Sequence, residues 1–193
     1  MNEIEKVLSF FKTAEDWNSF VELSNMKEMM VRELKGRLLN EMRIIAESNL
    51  SVAGWKYDAN YDYISIVLQK YHSLSIRIEW RHWSWYERGA GIWINPSEIN
   101  PEKFIGKVNA NADLKGFLTD KGFHESRENA WYPFMKTIPA EVFFSNDSCR
   151  LVEECLFRAI QDAKGLADNL WEKVFKPFVE NKNVISMLVE ALQ

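Results

Sequence analysis

The sequence predicts an α+β fold: an antiparallel β-meander sheet packed by N- and C-terminal amphipathic helices. Three patterns carry that prediction. Leu74, Ile76, Ile78 and Trp80 alternate with Ser75, Arg77, Glu79 and Arg81, the period of a strand with one apolar face. Met26, Met30, Leu34, Leu38, Met42 and Ile45 recur every three or four residues, the period of a helix face. Val152, Leu156, Ala159, Ile160 and Ala163 repeat the helical period, and Leu166, Leu170, Val174 and Phe178 continue it.

Residues 1–193 read as a single α+β domain, with 1–24 as a helical N-terminal extension. Residues 3–23 make one or two short helices. Thr13-x-x-Asp16 is a capping pattern, so a helix restarts there, and Asn25-x-x-Glu28 opens the next, longer one. Its methionine stripe reads as core, although flexible methionines also suit a docking groove. Gly54-Trp55 and Asp58-Ala-Asn60 are turn-like. Tyr63 to Leu68 is a strand, Gln69 to His72 a connection, and the next strand runs from Leu74. Gly89-Ala-Gly91 leads into a strand at Ile92-Trp93-Ile94 that stops at Asn95-Pro96. Asn100 caps a short helix with Pro101 at its first position. A second helix, from about Asn111 to Lys121, ends at Gly122 as a left-handed cap. Phe123-His124 and Ala130 to Ile138 are extended, around the polar turn Glu125 to Asn129. Asp147 caps the last long helix, Pro177 ends it, and 180–193 form a terminal helix.

The composition is globular: 47% hydrophobic and 27% charged residues over 193 positions. The net charge of −4 is spread along the chain, with no basic stripe. Nucleic acid is therefore disfavoured as a general partner. Cys149 and Cys155 lie six apart on an expected helix and face different ways, so reduced thiols and a cytoplasmic location are expected. The opening MNEIEKVLSFFK lacks a basic leader and an apolar run, so no signal peptide is expected. No apolar stretch approaches the ~20 residues that span a bilayer, and no membrane partner is expected.

Motifs for chemistry are sparse. Gly89-Ala-Gly91 runs into a strand, where a dinucleotide fingerprint would run into a helix. His72, His82 and His124 lack metal-ligand spacing, so neither a metal nor a cofactor is expected. The remaining candidate lies between Ser73 and Pro96. If the alternation holds, Arg77, Arg81, Trp83, Trp85 and Trp93 share one side of the sheet. Bases of a single strand stack on such rings, and arginines add cation–π attraction. Alternatively, a helix covers that face, or the alternation breaks near Ser84, and the rings finish a core.

Leu74 to Arg81, Gly91-Ile92-Trp93-Ile94, Trp131-Tyr132-Pro133-Phe134 and Asp147 to Val174 follow one another in an order that resembles a C-terminal accessory module. That module is found in proteins of the PD-(D/E)XK nuclease superfamily. The resemblance covers roughly residues 26–175 and implies the module without its nuclease half. Such a nuclease needs an Asp and a Glu-x-Lys on adjacent strands. The available Glu33-Leu34-Lys35 falls within a predicted helix, so no catalytic residue carries over. The leading expectation is a non-catalytic cytoplasmic protein that binds a protein partner or a second copy of itself. A nuclease or phage-defence or anti-defence system is the expected setting. A single-strand binder is the first alternative. An enzyme using His82, His124 and Glu79 is the second.

Overall fold

The structure, a computed structural model, describes residues 5, 9–50, 54–60, 62–79, 89–126, 129–138 and 152–193; for 27–28 and 152–160 it describes the backbone alone. Among the described residues, six helices and a six-stranded antiparallel sheet make an α+β fold.

Helix α1, Ala14–Asn49, is unbroken over 36 residues and about 54 Å long. Thr13 and Asp16 form a reciprocal capping box at its start: Asp16 N–H donates to Thr13 Oγ1 (3.1 Å) and Thr13 N–H to Asp16 Oδ2 (2.9 Å). The expected restart at Asn25 does not occur. A solvated Asn costs little within a helix whose neighbours are Leu, Met and Glu, and one strong cap suffices for the whole length.

The sheet order is β1-β2-β3-β4-β6-β5, every pair antiparallel. Its strands are β1 Trp55–Ala59, β2 Tyr63–Leu68, β3 Tyr71–Glu79, β4 Gly89–Ile94, β5 His124–Glu125 and β6 Phe134–Thr137. β1 occupies residues that read as turns. Gly54 (φ 73°) starts it in the left-handed region that glycine tolerates, and Asn60 ends it. The Asn60 side chain accepts the N–H groups of Asp62 and Tyr63, an Asx turn into β2. Gln69 and Lys70 alone turn β2 into β3, so the expected longer connection is shorter and β3 begins at Tyr71.

Helices α2 (Pro101–Ala110) and α3 (Ala112–Asp120) start as expected, with Asn100 and Asn111 each accepting the N–H three residues on. Gly122 (φ 80°) closes α3: its N–H donates to Thr119 O and that of Phe123 to Leu118 O, a Schellman motif. Helix α4, Val152–Leu170, departs from helical dihedrals at Asp162, whose carboxylate accepts Gly165 N–H (2.8 Å) and recaps the second segment. Asp147, expected as its cap, lies outside the described residues.

Pro177 does not end the helix. A π-turn, Trp171–Phe175, runs into α5, Lys176–Glu180. Proline has no N–H for the Lys173 carbonyl. Lys136 Nζ from β6 donates to that carbonyl instead (2.7 Å), and also reaches Lys121 O (3.3 Å). Asn181 then caps α6, Lys182–Leu192.

All six helices meet one sheet face. Leu38, Met42 and Ala46 of α1, Phe104 and Val108 of α2, Leu170 to Phe178 and Leu188 of α6 close over Leu74, Ile76, Ile78, Ile92 and Ile94. The core face expected for β3 is therefore present, and Trp80 lies outside the described residues. Tyr57 Oη donates to Leu39 O (3.1 Å), tying β1 to α1, and burial pushes its pKa up to about 12. Among the described residues no helix is long and apolar enough to cross a membrane.

Candidate functional site

The opposite sheet face carries the residues singled out in the sequence. Register sets them in rows: Tyr63 faces Glu79, Ser65 faces Arg77, Val67 faces Ser75, Ser75 faces Trp93 and Arg77 faces Gly91. Arg77 is the centre. Its guanidinium lies 4.1 Å from the Tyr63 ring centroid and 4.2 Å from that of Trp93, a cation between two π faces. Arg77 Nη1 stands 3.8 Å from Glu79 Oε1, and the arginine side chain keeps only 12% of its exposure. Tyr63 Oη donates to Asp58 Oδ2 (2.9 Å).

Trp93 is flanked on its other side by Trp131, ring centroids 5.7 Å apart at 25°. Asn129 places that second tryptophan. Its side chain accepts the N–H of both Trp131 and Tyr132, and Trp131 O accepts Ile94 N–H at the end of β4. Tyr132 then folds onto Gly91, where a Cβ would strike its ring. Its phenol is held protonated well above the usual range, first by burial and then by the Glu79 charge. Among the described residues, Ser75 Oγ and Arg77 Nε are buried here without a hydrogen-bond partner.

Of the five residues expected on this face, Arg77 and Trp93 are brought together; Arg81, Trp83 and Trp85 lie outside the described residues. The Arg77 guanidinium lies over the Tyr63 and Trp93 rings, and Trp93 also stacks with Trp131. Trp131, 49% exposed, keeps the open ring of the row. Tyr63, Trp131 and Tyr132 were not expected in the cluster. The signal for Tyr132 was Gly91: a glycine opposite an arginine in a sheet leaves room for a ring. His124 does not join Glu79, because β4 and β6 separate β3 from β5, about 14 Å at normal strand spacing. His82 lies outside the described residues, and among those described no three His, Cys, Asp or Glu side chains group as metal ligands.

A second surface lies on α1. Its stripe divides near its middle. Leu34, Leu38, Met42 and Ala46 are buried, as expected of core. Trp17, Phe20, Leu23, Met26, Met29 and Met30 are 42–61% exposed, so the core reading fails for this half. Phe11, Trp17 and Phe20 pack on one another with centroids 5.0–5.7 Å apart. Met26, Met30 and Leu23 emerge on a different side of the helix, so this half is apolar on more than one face, unlike an ordinary surface helix. A groove lined by Met29, Met30, Glu33, Leu34 and Arg37 marks where the exposed half meets the buried one.

Comparison of the chain with protein-family models, with curated proteins and with solved structures finds no match.

Proposed function

We propose that the protein is a non-catalytic, cytoplasmic protein-binding module whose binding element is the first half of α1. One observation carries this reading: Trp17, Phe20, Leu23, Met26, Met29 and Met30 are each 42–61% exposed on a helix whose other half is core. Exposed apolar surface of this extent marks protein contact, and methionines adapt to the surface they meet. The Arg77 cluster supports a structural part for the sheet, because its cation and rings are spent on one another. The resemblance to a nuclease-associated module makes a defence or anti-defence assembly the setting we propose.

The test is hydrogen exchange of the chain diluted until it is monomeric and of the chain in its assembly. Amides of residues 17–30 exchange fast alone and become protected on association. Equal protection in both states overturns the reading.

A further inference from the structure

We infer that the partner of this surface is a second copy of the chain, paired antiparallel through the first half of α1 about a two-fold axis at Met26. The inference rests on the protein-binding reading above and goes further by naming the occupant.

Periodicity defines the seam. Glu15, Glu22, Met26, Met29, Glu33 and Arg37 follow one another at intervals of seven, four, three, four and four residues within one unbroken helix, with Leu23 and Met30 alongside. The apolar residues are at the centre of this strip and the charged ones at its ends. That is the layout of an interface core with a polar rim.

Charge fixes the direction. On the strip itself the first turns carry Glu15 and Glu22 and no basic residue, whereas the far end carries Arg37, whose Nε lies 3.2 Å from Glu33 Oε1. Parallel pairing sets like ends together. Antiparallel pairing about Met26 sets Glu15 opposite Arg37, Leu23 opposite Met29 and Met26 opposite itself. Opposed helix dipoles add to that preference. A heterologous partner need not match the strip's own charge sequence; a second copy in this register matches it twice, and the two-fold axis closes the assembly at two chains.

Area agrees. Leu23, Met26, Met29 and Met30 are 60%, 44%, 61% and 42% exposed. At about 200 Å² for a whole large side chain they present on the order of 400 Å² of apolar surface. Their polar neighbours extend the strip toward the roughly 800 Å² that each partner gives to a standard interface.

Sedimentation equilibrium of the full chain, with Met26→Glu beside it, tests the pairing. The expected result is a dimer at micromolar concentration, a dissociation constant at least tenfold weaker in Met26→Glu, and equal helicity by circular dichroism. In a background with Cys149→Ser and Cys155→Ser, Met26→Cys is expected to cross-link to its counterpart on mild oxidation and Glu15→Cys is not, because antiparallel register brings together only the residue on the axis, whereas a parallel pair would join both. Glu15→Arg weakens the dimer and adding Arg37→Glu restores it. A dimer indifferent to Met26→Glu, or one that cross-links poorly at position 26, overturns the inference. A monomer whose residues 17–30 exchange fast overturns the self-pairing alone and leaves a different protein as the partner. A monomer whose residues 17–30 are already protected overturns the protein-binding reading as well.

Discussion

Lys136 shows how much one side chain can hold. It reaches from β6 to the Lys173 carbonyl that Pro177 leaves without a donor, and to the end of α3 at Lys121. Burial, followed by the charges of Lys121 and Lys173, lowers its pKa from 10.5 to about 8. The folded chain therefore gives up this proton before the unfolded chain does. Between pH 8 and 10.5 the unfolded state binds more protons, and this lysine makes stability rise with pH across that window. Below pH 8 the ammonium is charged in both states and the cost of its burial is felt in full. The expected outcome for Lys136→Met is loss of that rise, read as the difference in melting temperature between variant and parent at pH 7 and at pH 9.5. Gly91 is a second single-residue constraint. Gly91→Ala drives a methyl into the Tyr132 ring and is expected to destabilise by about 1–3 kcal/mol in urea unfolding, the range for overpacking.

At the scale of elements, α1 is two environments on one helix. Met42 is fully buried, and Met42→Ala is expected to cost about 2–5 kcal/mol through the cavity it leaves. Met26→Ala, made at concentrations where the chain is monomeric, is expected to stay within about 0.5 kcal/mol of the parent. Chemical denaturation of the two variants side by side checks the pair. The helical period was legible on both sides of Asn25, though as separate helices, but not the change in burial, because a methionine stripe has the same spacing whether or not something covers it. β1 was missed for a related reason. Trp55, Tyr57 and Ala59 do alternate with Lys56 and Asp58, yet Gly54 and Asn60 crowd so close to a five-residue strand that turn chemistry dominates the reading. The caps at Thr13, Asn100 and Gly122 were legible because each acts through neighbours three residues away. The π-turn was not, since its answer to Pro177 comes from Lys136, some forty positions earlier.

For the whole molecule, the layering decides which surfaces remain for others. Helices close one side of the sheet, while on the other side Arg77, Tyr63, Trp93 and Trp131 stack among themselves. The arginine and tryptophan were legible as neighbours from strand period alone; their mutual saturation was not, because Tyr63 and Trp131 arrive from other strands and turns. Titration of the chain with single-stranded DNA at low salt is expected to leave tryptophan fluorescence within about a tenth of its starting value, since rings already stacked in a protein of net charge −4 offer bases little. Substantial quenching, abolished by Trp131→Ala, would show the row to be open after all. The order of strands adds one more consequence. Among the described residues the rims of the sheet are β1, five residues with Lys56 and Asp58 in solvent, and β5, two residues ending in Glu125. Neither offers a long, uncharged backbone ladder, so neighbouring molecules cannot readily extend the sheet into a ribbon. A chain with this much bare hydrocarbon on one helix can thus be concentrated without seeding fibrils from its described strands.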